Sequence, residues 1–452
     1  MRIKLDVPLN AYEIAKATGG SCKSGWGEKL INYLSTDSRE LSSCDLFVPL
    51  KGERFDGETF IEDANRLSAL TVSKSHPNAI IKAASDDILL SVADYYKRKK
   101  LSVRKTVAIT GSVGKTTTKE FLKEICSLEY KTHATEGNLN NTVGLPLTVL
   151  SAPSKTEILI CELGMNSRGE ISRLSKTLKP DIAVITNVGT AHIGNLGSRK
   201  NIAEAKLEIL DGMTEKFLIA QEEESLLSHY KSRSFSVKNT NADVFLYREG
   251  GEVCVAENGK NVIRAEFSPV GEHNLECLAA ATCAALSVGI DKRTVKRGFS
   301  LISNNNIRQR FVNVGDIKII NDSYNASRES ISADLKLLSE LSGGACISAV
   351  LGSVLELGDY SESIHREIGV LAARAGLSSL FAIGRFARDI AFGAMSVGFP
   401  QERIYLFEDT SSLSAVAYKI RELCKGELIL IKGSHKLLLS RIIDELKKLY
   451  GE

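Results

Sequence analysis

The residues with the clearest chemical potential form a glycine-rich stretch, residues 110–118, with the sequence TGSVGKTTT. It directly follows the apolar run 106–109, and a helical pattern comes after it. A strand, a glycine turn and a helix in this order are typical of a nucleotide phosphate site, because glycines let backbone N–H groups face phosphate oxygens and the helix N-terminus adds positive potential. Lys115 would neutralise the outer phosphates, and the Thr116 hydroxyl would reach a magnesium ion.

This stretch departs from the standard phosphate-loop spacing, because Ile109 stands where the first glycine is expected. The shorter T-G-S-x-G-K-T form is less general and points to fewer families. The alternative is a chance glycine turn at the end of a strand. An apolar stripe at roughly 3.6-residue spacing argues for the phosphate loop, since it predicts the helix that the motif requires; the stripe comprises Phe121, Leu122, Ile125 and Leu128.

Two further polar groups follow the next apolar runs. Glu162 follows the run 158–161, and His192 follows the run 181–186. Ligands of open α/β sheets lie beyond the carboxyl ends of the strands, so both side chains are predicted beside the phosphate loop as magnesium ligands or water-holding groups. The alternative for Glu162 is a helix-capping acid, and the alternative for His192 is a structural histidine.

Other polar residues have less specific patterns. Lys206 lies in a helical pattern, which alone predicts a surface lysine. Residues 138–146 (NLNNTVGLP) either make the local hydrogen bonds of a loop or line a polar substrate channel. Residues 321–326 (NDSYNA) follow an apolar run and precede a helical pattern. Arg310 is predicted at a hinge, where its planar cation would suit phosphate.

Three regions must position these groups, with predicted boundaries at 1–100, 101–309 and 310–452. The first mixes short strands with helices, and residues 45–52 predict a strand that enters a glycine turn. The charge run 96–100 is predicted to be the linker to the second region. It is too short and isolated to indicate a nucleic-acid site.

The second and third regions alternate apolar runs with helical patterns. Unalternated apolar runs predict parallel strands covered on both faces. The turns at 249–251 and 258–259 predict an antiparallel insertion between about 237 and 270. The predicted fold class is therefore α/β with three domains: a small N-terminal α/β domain, a central parallel-sheet domain with the phosphate loop and the antiparallel insertion, and a C-terminal doubly wound, Rossmann-like domain.

The composition is that of an ordinary globular chain. Its 452 residues predict two to four domains. A net charge of +3 with 25% charged residues gives no reason to propose a nucleic-acid partner. No apolar run approaches the length of a membrane span, so no membrane insertion is expected. Nine scattered cysteines without a C-x-x-C pair or a secretion signal predict reduced thiols in a cytoplasmic protein.

Taken together, these stretches resemble the Mur ligases, the ATP-dependent amino-acid and peptide ligases of peptidoglycan precursor synthesis. The pattern is most similar to that of the members that add D-alanyl-D-alanine to a UDP-N-acetylmuramoyl-tripeptide. The motifs that carry the resemblance run in order through nearly the whole chain: STDSRELSSCDLFVPLKGERFDG (35–57), TGSVGKTTTKE (110–120), EGNLNNTVGLPLT (136–148), ELGMNSRGEI (162–171), NVGTAHIGNLGS (187–198), AEAKLEI (203–209), GEHNLECLAA (271–280), NDSYNAS (321–327) and LELGDYSESIHREIG (355–369).

The resemblance implies ATP and magnesium as cofactors. The implied contacts of ATP are Gly111, Ser112, Val113, Gly114, Lys115, Thr116, Thr117, Asn274, Arg310, Asp322 and Asn325. One magnesium ion is implied on Thr116 and Glu162, and a second on His192 and Lys206. In the family the lysine that matches Lys206 is carbamylated by carbon dioxide, which turns a cation into a carboxylate-like ligand. The implied catalytic residues are Lys115, His192, Lys206 and Arg310.

The resemblance also implies the substrates and the reaction. Ser38, Arg39 and Lys51, with the turn at 56–57, would bind the uridine diphosphate, and Asn140, Asn141 and Thr142 would face the muramoyl-peptide. The tripeptide carboxylate would attack the γ-phosphate to give an acyl phosphate, from which the amine of D-alanyl-D-alanine displaces phosphate. The enzyme is expected to act as a cytoplasmic monomer without nucleic acid.

Two rival interpretations use the same motifs. One is a related ligase that adds a single amino acid to a muramoyl-peptide or glutamate to folate. The other is a phosphate-loop switch that binds and hydrolyses nucleotide without ligation. The stretch 35–57 and the Y-N-A run disfavour the first, and the ordered set of Glu162, His192 and Lys206 disfavours the second.

Three motifs depart from the family pattern, all in the third region. The Y-N-A-N-P run ends here in Ser327 and Arg328, the G-D-M-L-E-L-G run carries Ser353 in place of its acid, and the K-G-S-R run ends in His435. The incoming D-alanyl-D-alanine is expected to bind in this region. The departures therefore concern that pocket more than the ATP chemistry.

Overall fold

The computed structural model describes residues 1–52, 55–303 and 309–452. The chain divides into two compact units that are each discontinuous in sequence. The first unit comprises Met1–Thr110, Cys126–Val184 and Leu207–Leu218, and the second comprises Gly111–Ile125, Ile185–Lys206 and Ile219–Glu452. The division into sequence-continuous domains at residues 100 and 309 remains a prediction.

The N-terminal residues form a sheet in the order β1-β3-β4-β7-β8-β2 and a separate pair of strands, β5-β6. β3, β4, β7 and β8 are parallel neighbours, whereas β1 and β2 pair antiparallel at the two edges. The elements are β1 (Arg2–Asn10), α1 (Ala11–Ala17), β2 (Ser21–Cys22), β3 (Leu30–Ser35), β4 (Asp45–Phe47), β5 (Lys51–Gly52), β6 (Phe55–Asp56), α2 (Ile61–Arg66), β7 (Leu70–Ser73), β8 (Ile81–Lys82) and α3 (Ile88–Lys100).

Two local predictions in this part are wrong in detail. The predicted strand at 45–52 is divided into β4 and β5, with Pro49 between them, since proline cannot donate a ladder hydrogen bond. The charge run 96–100 is not a linker but the last turns of α3. Tyr96 is fully buried, and the Lys97 ammonium donates to the Leu178 carbonyl. The run therefore packs its apolar parts inward.

The central residues supply the elements that carry most of the predicted site. In chain order these are β9 (Lys105–Thr110), α4 (Lys115–Ser127), β10 (Thr132–Ala134), α5 (Gly144–Leu150), β11 (Ile158–Glu162), α6 (Glu170–Leu178), β12 (Ile182–Ile185), α7 (Ile193–Leu196), α8 (Arg199–Leu207) and β13 (Leu218–Gln221). Within the first unit, β10, β11 and β9 are parallel neighbours in that order. Every residue of β11 and β12 is buried, which confirms the prediction from their unalternated apolar runs.

The antiparallel insertion is also confirmed. β15, β16 and β17 form consecutive antiparallel pairs, joined by turns that contain Gly250, Gly251 and Gly259. These glycines have positive φ, as tight hairpin turns require. The elements of this part are β14 (Lys231–Ser236), β15 (Val244–Glu249), β16 (Glu252–Glu257), β17 (Lys260–Ala265), α9 (Glu272–Val288) and α10 (Lys292–Leu301).

The C-terminal residues form an α/β sheet in the order β18-β19-β23-β20-β21-β22. β18 is antiparallel to β19, and the other neighbours are parallel, as expected for a doubly wound sheet. The elements are β18 (Arg310–Val314), β19 (Ile317–Asp322), α11 (Arg328–Leu341), β20 (Ile347–Gly352), α12 (Ser361–Arg374), β21 (Ser379–Ile383), α13 (Ala387–Met395), β22 (Ile404–Phe407), α14 (Leu413–Leu423), β23 (Leu428–Lys432) and α15 (Arg441–Tyr450).

The core of this sheet is apolar and continuous. Ile319, Phe381 and Ile431 contribute from the strands, and Val416 and Ile442 contribute from the helices. Burial of such side chains contributes on the order of 1.5–3 kcal/mol each. Among the helices of the described residues, none has the length and apolar character that a membrane crossing needs.

Candidate active site

A cavity of about 410 Å³ lies within the second unit, against the phosphate loop. Its walls come from the loop and the start of α4, the segment after β12, the end of β14, the start of α9, and the ends of β19 and β23. The predicted site residues that line it are Ser112, Val113, Gly114, Lys115, Thr116, Thr117, His192, Asn274, Asp322 and Asn325. The structure therefore brings together residues that are as far apart in sequence as the loop and Asn325.

The phosphate loop is held against the segment that follows β12. The Asn187 side-chain oxygen accepts from the N–H groups of Ser112 (3.2 Å) and Val113 (3.0 Å), and the Thr186 hydroxyl donates to the Val113 carbonyl (2.6 Å). A Cβ on Gly111 would lie 1.9 Å from the Thr186 hydroxyl oxygen, and Gly114 has a φ of 81°. Both glycines are therefore required by the loop, one for close approach and one for its backbone conformation.

Lys115 begins α4 and folds back over the loop. Its ammonium donates to the Gly111 carbonyl at 2.7 Å. The backbone N–H groups at the start of a helix and the helix dipole favour an anion at this end. The loop thus presents a cation and a helix N-terminus to the cavity, which is the arrangement that phosphate groups need.

The start of α9 joins the C-terminal sheet through a chain of buried polar groups. The Gln309 amide donates to Asp334 (2.5 Å), and its oxygen faces the His273 ring nitrogen (3.2 Å) and the Asn274 amide (3.4 Å). Asn274 also donates to the Val270 carbonyl at 2.7 Å. Burial lowers the pKa of His273, so this ring is neutral near pH 7.

Asp322 and Lys432 form the charged floor of the cavity. The Lys432 ammonium, which is 1% exposed, pairs with Asp322 and lies 2.8 Å from Asp334. Burial raises the pKa of Asp322 to about 6, although the positive charge of Lys432 acts to lower it. Burial alone would lower the pKa of Lys432, but the two carboxylates raise it above its ordinary value, so the lysine stays charged.

His192 and Lys206 lie in electrostatically unusual surroundings. His192 lines the cavity, and its Nδ1 lies 2.7 Å from a Glu356 carboxylate oxygen. Burial lowers the pKa of His192, although Glu356 opposes the shift. Lys206 is 1% exposed, and burial, with a smaller contribution from Lys115, lowers its pKa far below the ordinary lysine value.

The helix-pattern prediction that Lys206 is a surface lysine is therefore wrong. The buried face of α8 comprises Ile202, Ala203, Ala205 and Lys206, so the lysine occupies a core position. Among the described residues, no carboxylate lies within ion-pair distance of its amine. Lys206 is not among the described residues that line the cavity.

Glu162 ends β11 in the first unit and is 1% exposed. The Asn140 amide donates to it at 2.8 Å, so this pair of predicted residues is in contact. Glu162 lies at the end of a strand rather than at a helix start, which argues against the capping alternative. Asn141 instead makes local bonds, because its oxygen accepts from the N–H groups of Val143 and Gly144 at the start of α5.

The predicted uridine-diphosphate residues lie at the surface of the first unit. Arg39 is exposed and forms a bidentate pair with Asp37, at 2.8 and 2.6 Å. Lys51 is exposed and lies 3.3 Å from Asp56, whose carboxylate caps the Gly57 turn by accepting from the Glu58 N–H. Ser38 is half-buried, and Thr142 is half-buried beside the Asn140 loop.

Arg310 begins β18 with an exposed side chain. It is not among the described residues that line the cavity, and neither is Gly111. No group of three or more histidine, cysteine, aspartate or glutamate side chains within the described ranges is arranged to hold a metal ion. A magnesium ion at this site would therefore depend on other donors as well, such as a threonine hydroxyl and phosphate oxygens.

Comparison with known proteins assigns the chain to a protein family. Three family models match it in order: the Mur ligase family catalytic domain over residues 30–111, the Mur ligase middle domain over 109–285, and the Mur ligase glutamate ligase domain over 308–435. A UDP-N-acetylmuramoyl-tripeptide–D-alanyl-D-alanine ligase of Bacillus subtilis is 36% identical, with 97% of each chain covered.

The chain belongs to the Mur ligase family.

Other relatives support the same assignment. The Synechocystis enzyme of the same name is 34% identical, with 92% of each chain covered. A crystal structure of MurF from Acinetobacter baumannii matches with a TM-score of 0.87 and 28% identity, covering 99% of this chain and all of the other. MurF ligase from Thermotoga maritima in complex with ADP matches with a TM-score of 0.79 and 25% identity, covering 92% and 97%.

The family membership confirms three predictions made from the sequence. These are the resemblance itself, the α/β fold class with several domains, and an ATP-dependent ligase. The relatives' names agree with the predicted role in peptidoglycan precursor synthesis. The roles of individual site residues remain predictions.

One of the three departures from the Mur ligase motifs, the Ser327-Arg328 step, has a local explanation. Ser327 is the N-cap of α11, and its hydroxyl accepts from the Ser330 N–H at 3.2 Å, while the Ser330 hydroxyl accepts from the Ser327 N–H at 3.0 Å. Arg328 is then the first helical residue and pairs with Glu367 at 2.5 Å. Asn and Ser are both good N-caps and Pro favours the next position, so Ser-Arg replaces Asn-Pro without loss of the helix start.

The other two departures lie in packed surroundings. Ser353 is 1% exposed, and its hydroxyl donates to the Ile383 carbonyl (3.3 Å) and accepts from the Phe386 N–H (3.0 Å). The His435 ring packs edge-on against Tyr324, with centroids 5.3 Å apart. Both residues stabilise loops at the ends of strands in the C-terminal sheet.

Several residues that line the cavity of this Mur ligase were not predicted from the sequence. Gln309, Asp334, Glu329 and Lys432 all line it. A signal for Lys432 was present, because it ends an apolar strand just before a Gly-Ser pair. Asp334 gave no such signal, since an acidic residue inside a helical pattern is predicted to lie on the solvent-exposed face of the helix.

Proposed function

We propose that this Mur ligase joins D-alanyl-D-alanine to a UDP-N-acetylmuramoyl-tripeptide with hydrolysis of ATP, which yields the UDP-muramoyl-pentapeptide. The observation that carries the proposal is the near full-length match to relatives named for this reaction. The cavity against the phosphate loop supports it, because the cavity gathers the cation and helix terminus that ATP needs.

ATP is proposed to bind in this cavity. Its phosphates would lie on the loop residues 111–117, with Lys115 as their principal cation. Asn274, Asp322 and Asn325 line the same cavity and are proposed to hold the nucleotide from the α9 and C-terminal sides. Arg310 is proposed to join them on domain closure, since its guanidinium is exposed at the start of β18.

Magnesium is proposed as the metal. Thr116 offers a hydroxyl and Glu162 a buried carboxylate, the oxygen donors that magnesium prefers. His192 and Lys206 are proposed for a second ion. When bound, magnesium supplies positive charge to phosphoryl oxygens.

Lys206 fits a metal site only after chemical change, because an ammonium cannot be a ligand. Its burial and lowered pKa favour the neutral amine, which is the form that attacks carbon dioxide. The nitrogen lone pair forms a bond to carbon, one C=O π bond becomes a C–O⁻ bond, and the amine loses a proton to solvent. The product is a carbamate with carboxylate-like oxygens.

The proposed reaction proceeds in two steps. The tripeptide carboxylate attacks the γ-phosphorus and ADP leaves, which gives an acyl phosphate. The amine of D-alanyl-D-alanine then attacks the acyl carbon, and phosphate leaves. Lys115, His192, Lys206 and Arg310 are proposed to stabilise the charge that develops in these steps, mainly by position and electrostatics.

The muramoyl substrate is proposed to bind through the N-terminal region. Ser38, Arg39 and Lys51 would contact the uridine diphosphate, and residues 140–142 would face the peptide. This corresponds to three functional domains at 1–100, 101–309 and 310–452, for the UDP-substrate, ATP and D-alanyl-D-alanine respectively. We further propose a monomer that acts in the cytoplasm.

The test is release of phosphate by wild-type enzyme and by Lys115→Ala. Wild type should release phosphate only when both peptide substrates are present, and Lys115→Ala should abolish it. Lys123→Ala, on the same helix but outside the cavity lining, is the matched control and should retain activity. Full ligation by Lys115→Ala would contradict the proposal.

The carbamate has its own test. Bicarbonate depletion should lower ligation reversibly, and gently handled protein should show a mass increase of one carbon dioxide on the peptide that contains Lys206. Lys206→Ala should lose both the activity and the mass increase. Activity that is indifferent to both treatments would exclude the carbamate.

A further inference from the structure

His192 has a carboxylate partner that no motif in the central region supplies. Its Nδ1 is buried and lies 2.7 Å from Glu356 Oε2. Within the described ranges, no other acceptor reaches this nitrogen. The contact is at hydrogen-bond distance, although the N–H direction is not in line with the oxygen, and contacts of this kind often align only when ligands bind.

The backbones of both residues are held in an unusual conformation. His192 has a φ of 62° and Glu356 a φ of 66°, the left-handed region that is costly for residues other than glycine. Such conformations persist where the surrounding structure fixes them, and they concentrate at functional sites. Two such conformations meet at this one contact between His192 and Glu356.

Three further contacts fix Glu356 against the histidine. The Gly194 N–H donates to the Glu356 carbonyl at 3.2 Å, and the Tyr360 hydroxyl donates to the Gly197 carbonyl at 2.7 Å. A Cβ on Gly194 would lie 2.4 Å from the Gly358 nitrogen, so the two backbones are in direct contact. The segment 356–360 is thus bound along α7, whose N-cap is His192.

A second carboxylate holds the residues just before the histidine. Glu329 accepts from the Thr190 N–H at 2.9 Å and from its hydroxyl at 3.2 Å. Gly189 packs closely there, since a Cβ on it would lie 2.8 Å from the Glu329 carboxyl carbon. The loop that carries His192 is therefore held on both sides by acidic residues of the C-terminal sheet region.

We propose that Glu356 is a positioning residue for His192. The Glu356 carboxylate accepts a hydrogen bond from the Nδ1–H of His192 and so leaves Nε2 as the metal-binding nitrogen. Histidine ligands commonly donate their second ring N–H to a carboxylate, which fixes the tautomer and the ring orientation. Glu356 lies in the C-terminal region, so this contact couples the metal-site histidine to the part of the chain proposed to bind D-alanyl-D-alanine. The inference rests on the proposed role of His192 in the ligase.

The first test is nuclear magnetic resonance of the full-length enzyme with ¹⁵N-labelled histidine. The chain has seven histidines, and the signal of His192 is identified by its loss in His192→Gln. In wild type we expect the tautomer protonated on Nδ1, and in Glu356→Ala we expect this preference to be lost. An unchanged tautomer in Glu356→Ala would overturn the proposal.

The second test is Mn²⁺ affinity, measured by electron paramagnetic resonance with a non-hydrolysable ATP analogue. Glu356→Ala should weaken Mn²⁺ binding by about 10–100-fold, the usual effect of losing such a partner. Glu356→Gln should lose less, because its amide oxygen can still accept from Nδ1. Glu362→Gln, exposed on α12 in the same motif, is the matched control and should bind as wild type does.

Each result decides the proposal. Unchanged affinity in both Glu356 variants would overturn it, and tighter Mn²⁺ binding would show instead that Glu356 competes with the metal. If Glu356→Ala fails to fold, Glu356→Met provides the same comparison, since it keeps nearly the volume of the side chain and offers Nδ1 no oxygen acceptor. Wild-type enzyme that forms no pentapeptide would contradict the proposed function, whereas the tautomer result tests the Glu356 contact independently.

Discussion

Lys432 and Asp322 stand opposite each other at the ends of the neighbouring parallel strands β23 and β19, and their side chains form a buried ion pair that lines the cavity. Asp334 from α11 lies 2.8 Å from the same ammonium. One lysine thus compensates two buried carboxylates. The pair joins the strand ends of the C-terminal sheet to the site where the nucleotide is proposed to bind.

Replacing Lys432 with Met should destabilise the protein strongly. The change leaves Asp322 and Asp334 buried without their cation, which typically costs about 3–5 kcal/mol. Urea unfolding measures the loss. Lys419→Met is the control, because its pair with Glu422 is exposed to solvent and should contribute little to stability. Equal effects of the two substitutions would contradict the buried-pair account.

Asp322 should make stability depend on pH in a defined direction. Its pKa is raised by burial from 3.8 to about 6, so between these values the folded state binds more protons than the unfolded state. The stability that this group contributes is fully present below pH 3.8 and is lost as the pH rises through about 6. Asp322→Asn should remove this contribution.

The measurement is the free energy of unfolding of wild type and Asp322→Asn at several pH values in that window. Their slopes against pH should differ by up to about 1.4 kcal/mol per pH unit, the maximum for one proton. Wild type should have the more negative slope. Parallel curves would show that Asp322 has an ordinary pKa in the folded protein.

Ser327 should behave as a helix cap. Ser327→Ala removes the acceptor for the Ser330 N–H and should cost about 1 kcal/mol, whereas Ser327→Asn should be nearly neutral, because Asn is an equally good N-cap. Thermal unfolding of the two variants provides the comparison. If both lose the same stability, the hydroxyl does not act as a cap and the explanation of this departure fails.

Lys206→Met should separate stability from activity. Methionine fills the buried position without an amine, so ligation should fall by about 100-fold or more, as when a charge-stabilising group is removed. In buffer free of carbon dioxide the variant should be at least as stable as wild type near pH 7, because burial disfavours the lysine charge. Unfolding and ligation assays on the same samples test both expectations.

The difference in stability between Lys206→Met and wild type should depend on pH in a defined direction. The pKa of Lys206 is lowered in the folded state, so the unfolded chain binds the extra proton below pH 10.5 and wild type gains stability as the pH rises. The advantage of Lys206→Met should therefore shrink toward pH 10.5. An advantage that grows with pH would mean that Lys206 is charged when folded.

Local pattern predicted the strands of the central and C-terminal sheets well, since β11, β12 and β23 are short unbroken apolar runs. It failed where burial depends on tertiary packing. Lys206 is fully buried, yet a lysine inside a helical pattern gives no local signal for a core position. The last turns of α3 were not predicted to be helical, because their run of charged side chains does not show a buried face in the sequence pattern.

The site was predictable to the extent that its groups lie in ordered motifs. The loop and His192 were found because they follow apolar strand patterns, whereas Asn274 was found only through the resemblance to the Mur ligases. Glu356 and His192 are more than 150 residues apart, and only the folded chain brings them within 2.7 Å. No periodicity or spacing in the sequence encodes a pair of that kind.

The most direct test of the central claim is a ligation assay with purified enzyme, ATP, magnesium and both common UDP-muramoyl-tripeptides, the diaminopimelate and lysine forms. Products are identified by mass, with D-alanyl-D-alanine compared against single amino acids and against no acceptor. We predict a UDP-muramoyl-pentapeptide formed with one ADP and one phosphate, and only with D-alanyl-D-alanine. Addition of a single amino acid, or ATP hydrolysis that needs no peptide, would contradict the assignment.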